Sequence, residues 1–406
     1  MIKYSRSYFV WLITMAFFAY QFVLRNTPGL MIDELIGKFS ISASEFAMFS
    51  SSFYLAYALM QIPAGIILDK FNIRYAIPSL VLTFIAGSFI FISTDNFYIA
   101  VLGRILMGVG ATAGFLGGAK VVSMMFPKSY YSIMISMTFT LGFLGAIYGG
   151  KPMSLLLASY GSYNTFIYFI IGGIAISLLG LIFLKSTKET SETAFNLKDI
   201  VAHIKNKNIL LTAIFGGFMM GSTEGFADAW GIKFISSKFD MSISDASLVV
   251  SMVYMGLCFG GPILAWLSEK YSDNYRTTIY SGLIMGALFL VLVADFDLSL
   301  YQLIIITLII GIFTGSQVLI FSITNSFCIE RYAGITSAIT NSIVMSFGLI
   351  IHQMIGFILD MFGVVSRPDG SFCMSSLGFD AAISIIGIFM FIGSLGIYWL
   401  YRKNKA

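Results

Sequence analysis

The sequence predicts an all-α integral membrane protein of 12 transmembrane helices, arranged as two pseudo-symmetric six-helix bundles. Three observations carry this prediction. Hydrophobic residues make up 58% of the 406-residue chain and charged residues only 11%, whereas charged residues are about a quarter of a soluble globular chain. Twelve apolar runs can be marked, each able to supply the roughly 20 residues that a bilayer core of about 30 Å demands. The chain also repeats itself at an offset of about two hundred positions, with Glu269-Lys270 standing to Tyr254 as Asp69-Lys70 stands to Tyr54.

In the first half the runs lie near 8–30, 44–67, 74–93, 98–124, 131–157 and 163–184; in the second, near 209–235, 246–267, 277–294, 301–326, 335–359 and 380–401. The longest polar stretch, 185–208, carries Lys185, Lys188, Lys198, Lys205 and Lys207. The expected organisation is a bundle over 1–184, a central loop over 185–208 and a second bundle over 209–406. With the N-terminus inside, sixteen of the 24 basic residues fall on the cytoplasmic side, where basic loops are retained. Both termini are therefore expected in the cytoplasm, with the protein in a plasma membrane such as a bacterial inner membrane. The same bias accounts for the net charge of +4 without a nucleic-acid partner.

The start, with Lys3 and Arg6 before an apolar run, has the outline of a secretory signal. No small-residue cleavage site follows, so the run reads as a retained first helix. Of the three cysteines, Cys258 and Cys328 lie in or beside apolar runs and only Cys373 lies in an outer loop, so no disulfide is expected.

The first run holds Tyr20, Gln21, Arg25 and Asn26. A charge at membrane depth costs about 2.5–3.5 kcal/mol on insertion scales and normally faces a cavity or a partner. Arg25 either lines a central cavity, with Gln21 four residues earlier on the same face, or snorkels to the outer headgroups. In a dry site an arginine fork suits a carboxylate or phosphate. The second run carries Tyr54 and Tyr57, which either reach the cavity or pack. The fourth is rich in glycine, from Gly103 to Gly118, as close helix approach in lipid requires. Its Arg104 faces the cavity or braces a neighbouring helix, and Lys120 reads as snorkelling at the inner boundary. In the fifth run Lys151, beside Pro152, is a second candidate anion contact.

The seventh run supplies acids. Glu224 and Asp228 are four residues apart and so share a helical face, and nearby carboxylates repel enough to raise one affinity for protons. Histidine as a residue type changes charge near neutral pH, so His352, in the eleventh run, is either a proton relay or packing. Buried cations in the first half and acids in the second suit an anionic or zwitterionic solute, and sugars poorly. Two distant histidines and no glycine-rich phosphate loop argue against an enzyme, and no cofactor or metal is expected. The partners expected are the bilayer, the solute and a proton, with the protein a monomer.

The stretch Gly65-Ile-Ile-Leu-Asp69-Lys70-Phe-Asn72-Ile73-Arg74 resembles the signature loop of the major facilitator superfamily, written Gly-x-Leu-x-Asp-Arg-x-Gly-Arg-Arg, between its second and third helices. Gly65, Asp69 and Arg74 match, Lys70 is a like-charged replacement, and Asn72 and Ile73 depart from the pattern. Arg104 to Gly108 resembles the family's Arg-x-x-Gln-Gly, with Met107 where glutamine is usual. The longer Gly-Pro-x-x-Gly-Gly signature of the antiporter branch is lacking around Gly142–Pro152, which disfavours drug export. The resemblance implies that Asp69, Lys70 and Arg74, mirrored by Glu269 and Lys270, clamp helix ends at the cytoplasmic gate. It points to the organic-anion and amino-acid or small-peptide branches, in which a first-helix arginine holds a carboxylate. An Arg25–Glu224 contact follows from the way this fold faces its first and seventh helices. The function expected is proton-coupled symport of a small carboxylated solute by alternating access. A proton-coupled exporter and a non-transporting nutrient sensor of the same fold remain open.

Overall fold

The computed structural model describes residues 5–184, 205–328, 332–366 and 372–405. Lys3, Lys185, Lys188, Lys198, His203, Arg331 and Arg367 lie outside the described residues. The first-half helices are α1 (Ser5–Leu30), α2 (Ile32–Phe39), α3 (Ala43–Lys70), α4 (Ile73–Ser93), α5 (Phe97–Met125), α6 (Lys128–Tyr148), α7 (Lys151–Tyr160) and α8 (Ser162–Phe183). After the central loop come α9 (Lys207–Gly225), a π-helical turn (Phe226–Trp230), α10 (Gly231–Lys238), α11 (Ile243–Tyr271), α12 (Asn274–Val293), α13 (Leu300–Thr314) and α14 (Gln317–Asn325). The chain ends with α15 (Ala333–Phe362), an antiparallel pair of three-residue strands (Val364–Ser366 and Phe372–Met374) and α16 (Ser376–Lys405).

Among the described residues, 11 helices are long and apolar enough to cross a membrane, and up to 12 if the bent pair Ile133–Tyr148 and Lys151–Tyr160 forms one span. That pair corresponds to the run expected as a single helix over 131–157. It bends by 41° at Gly149-Gly150, and Pro152, which has no N–H to give, sits in the first turn of α7, where none is needed. α2 was not foreseen. It is short, and its apolar side is limited to residues such as the buried Ile32 and Leu35, so it lacks the length that marks a membrane span. The run 301–326 is likewise two helices, breaking at Gly315-Ser316.

The chain divides into two compact units, Met1–Thr27 with Ser52–Ala194, and Pro28–Ser51 with Phe195–Ala406. α1 and α3 therefore each contribute to both. In the first unit α4, α5 and α8 pack closely, because glycines let backbones touch. A Cβ on Gly110 would lie 2.4 Å from the Leu80 carbonyl oxygen, and one on Gly87 2.5 Å from that of Gly103. Trp11 donates to Thr138 at 3.0 Å, tying α1 to α6. In the second unit the same device joins α11 to α13. A Cβ on Gly256 would stand 2.2 Å from the Leu308 carbonyl oxygen, and Thr307 donates across the crossing to the Val249 carbonyl at 2.8 Å.

Candidate functional site: a buried arginine cluster and an acidic π turn

Arg25 lies five residues before the end of α1 and is 7% exposed. Its Nη2 and Nε donate to the Tyr54 hydroxyl of α3, at 2.8 and 3.3 Å. The guanidinium carbon lies 4.7 Å from the Tyr54 ring centroid, 5.1 Å from that of Phe22 and 5.8 Å from that of Phe53. Such stacking suits a weakly hydrated planar cation in an apolar setting. Arg104, on α5, is fully buried with its guanidinium 5.0 Å from the same Phe53 ring. Its Nη2 donates to the Arg25 carbonyl oxygen at 3.4 Å, so it braces α1 while adding a second cation beside Phe53. Tyr57 stacks on Phe53, centroids 6.1 Å apart and planes 8° from parallel, and so helps hold the ring the two arginines share.

On α1 and α3, the helices of Arg25 and Tyr54, are polar atoms that hydrogen-bond to nothing among the described residues: Oε1 of Gln21, Oδ1 of Asn26 and Nε2 of Gln61, all on side chains that are buried. Buried polar atoms are nearly always satisfied, by protein, water or ligand. Lys151 is half-buried and is the first residue of α7, not a residue deep within one long helix.

The acids of the second unit sit on either side of a change in helical register. Glu224 is half-buried in the last turn of α9, and Asp228 lies in the π turn, 3% exposed. The Gly231 N–H donates to the Phe226 carbonyl, five residues back, so this turn is wider than the α-helical spacing assumed for the pair. Asp228 accepts a hydrogen bond from the Tyr254 hydroxyl of α11. His352 is fully buried in α15. Thr223, beside Glu224, lies 3.5 Å from Thr314 at the end of α13, next to that helix's break.

The signature stretch is helical, not a loop. Gly65, Asp69 and Lys70 lie in the last turns of α3, and only Phe71 and Asn72 separate it from α4, whose first turn the Asn72 side chain caps by accepting from the Arg74 N–H at 3.0 Å. Lys120, read as snorkelling to headgroups, instead forms an ion pair with Asp69 at 2.7 Å. Arg74 Nε donates to the Leu181 carbonyl of α8 at 2.8 Å. The repeat does not extend to these contacts: Glu269 and Lys270 are exposed, with Lys270 Nζ 5.1 Å from the Trp266 ring centroid.

The π turn and the Tyr254–Asp228 bond escaped sequence reasoning. The offset between Tyr54 and Tyr254 was the available signal: each tyrosine hydroxyl binds a charged side chain of the preceding membrane span, a cation in one unit and an acid in the other.

The family model of the Major Facilitator Superfamily matches residues 10–352. No curated protein matches the sequence. Among solved structures, the chain is similar to a bacterial homolog of the human lysosomal transporter Spinster. The inward-facing, unoccupied form gives 16% identity and a TM-score of 0.76, covering 98% of this chain and 97% of that one. The inward-facing, occupied form gives 15% and 0.73, covering 97% and 96%. The nucleoside transporter NupG gives 13% and 0.73, covering 97% of this chain and 100% of that one. With its spans, its repeated halves and this match over most of its length, the chain belongs to the Major Facilitator Superfamily.

Proposed function

We propose that the protein is a secondary active transporter that moves a small carboxylated solute, an organic anion, amino acid or small peptide, by proton-coupled symport through alternating access. The observation that carries the solute class is Arg25, a buried guanidinium stacked among aromatic rings and oriented by the Tyr54 hydroxyl. A fork held this rigidly recognises a planar carboxylate in two-point fashion. Arg104 adds a second positive charge beside the same ring, and Gln21 supplies an unsatisfied carbonyl oxygen for a donor on the solute. Lys151 and Tyr57 are secondary contacts in this reading.

Glu224 is the proton-carrying group of the proposal, with Asp228 and His352 as the other titratable members of the second unit. Protonation of the half-buried Glu224 carboxylate as the solute is bound would link the two movements. Purified protein in a thermal-shift screen against carboxylates, amino acids, dipeptides and sugar phosphates should respond to a carboxylate. Arg25→Ala should remove that response. In proteoliposomes Glu224→Gln should keep solute exchange but lose accumulation driven by a pH gradient. Accumulation that survives Glu224→Gln would reassign the proton, and binding without any uptake would identify a sensor.

A further inference from the structure

α16 is longer than a bilayer core requires. From Ala381 to Leu400 it carries no charge, a length of about 30 Å at ~1.5 Å per residue, which matches the hydrocarbon thickness. The helix then continues through Tyr401, Arg402 and Lys403 to Lys405, so its last turn stands at headgroup level. One side of it faces outward along its length: Ile388, Ile392, Leu395 and Trp399 are exposed, and their spacing of three and four residues makes them a single stripe. Lys403, four residues beyond Trp399, extends that stripe, its Nζ 5.3 Å from the Trp399 ring centroid. The stripe thus passes from apolar side chains through an indole to a cation.

The start of α12 meets α16 at the same level. Asp273 Oδ1 accepts the Arg276 N–H at 2.9 Å and so caps α12, while its Oδ2 accepts the Tyr401 hydroxyl at 3.1 Å and lies 3.2 Å from Arg276 Nε. The Arg276 guanidinium carbon is 6.0 Å from the Tyr401 ring centroid, and the Tyr275 ring packs on the same tyrosine with centroids 5.5 Å apart. Arg402, the next residue of α16, is exposed and reaches the Tyr398 hydroxyl at 3.5 Å. In the first unit the arginine after the equivalent turn, Arg74, spends its Nε on the Leu181 carbonyl at the end of α8. Arg276 instead lies across an aromatic ring with its side chain 62% exposed. Rings position a cation without cancelling its charge, and Asp273 offsets one of the three charges of Arg276, Arg402 and Lys403. The seam therefore keeps a positive excess at the depth of lipid phosphates, where basic clusters at helix ends recognise anionic headgroups.

We propose that the seam between α12 and the end of α16 is a binding site for an anionic phospholipid, whose phosphate lies among Arg276, Arg402 and Lys403 and whose acyl chain follows the stripe from Trp399 to Ile388. No solute takes part, so the site is tested apart from the transport reading. Hydrogen exchange would be measured on the protein in vesicles of phosphatidylcholine, with and without phosphatidylglycerol. Phosphatidylglycerol should slow exchange of peptides covering 271–280 and 398–405 about fivefold, the scale of one basic side chain at an anionic headgroup. High salt should remove the difference by screening. Arg402→Gln combined with Lys403→Gln should lose the lipid effect, and so should Arg276→Gln alone. Peptides from α13 should exchange alike in every variant and vesicle, which reports an intact fold. Equal exchange of the wild-type seam in the two vesicles would overturn the site. So would protection by phosphatidylglycerol that survives the double substitution. Protection reproduced by inorganic phosphate over phosphatidylcholine vesicles would also overturn it, since a free anion does not need the stripe.

Discussion

The Tyr54 hydroxyl receives two N–H groups of Arg25, so Tyr54→Phe would keep the guanidinium among its aromatic rings and remove only the acceptor that orients it. A hydrogen bond to a charged group contributes about 1.5–3 kcal/mol. Affinity for the anionic solute should therefore fall roughly ten- to hundredfold with little change in Tm; calorimetric titration reads the first and thermal unfolding the second. The Asp69–Lys120 pair behaves differently. Its side chains are 41% and 20% exposed, so solvent screening limits the coupling to about 1 kcal/mol or less. A double-mutant cycle with Asp69→Asn and Lys120→Met should measure a coupling of that size in stability, and a larger change in transport rate if the pair holds a gate. Arg25 was legible in the sequence because membrane insertion penalises an unhoused cation whatever the fold. Lys120 was not, since a lysine reaching headgroups and one reaching a carboxylate near a helix end have the same local sequence.

Helices that meet through glycine make opposite predictions from glycines that meet nothing. At Gly256, a methyl group would lie 2.2 Å from the Leu308 carbonyl oxygen. Backbone cannot move aside as a flexible side chain can, so Gly256→Ala should lower the Tm clearly or prevent folding, by overpacking that costs at least about 1–3 kcal/mol. Gly65 faces open space within a regular helix. Gly65→Ala should raise the Tm slightly, because alanine is favoured over glycine in a helix interior by about 1 kcal/mol. Thermal unfolding in detergent checks both, and a destabilised Gly65→Ala would show that this position serves another conformation of the protein. The long elements were legible because lipid demands an unbroken apolar length. Their interruptions were less so: Gly149-Gly150 before Pro152 left a compositional trace, whereas the break at Gly315-Ser316 and the short helix Ile32–Phe39 depend on packing that no single window of sequence contains.

At the scale of the whole molecule, the excess of lysine and arginine in alternate loops predicts which way the chain is threaded. Reporters fused after Ala406 should place the C-terminus in the cytoplasm: a fluorescent protein should fluoresce and alkaline phosphatase stay inactive, and the reverse pattern would invert the orientation. The fold class was readable because composition, span count and the two-hundred-residue offset agree with one another. The proposed site was only half readable, since the sequence lists buried charges but not their neighbours. The offset pointed to Tyr54 and Tyr254 together, yet nothing local announced that one would bind a guanidinium and the other a carboxylate.

The turn from Phe226 to Trp230 holds one residue more than ordinary α-helical winding needs, and Asp228 reaches Tyr254 from within it. The wide turn is therefore what aims this carboxylate. Deleting Ala227, just before it, should restore ordinary winding and swing Asp228 away from its tyrosine.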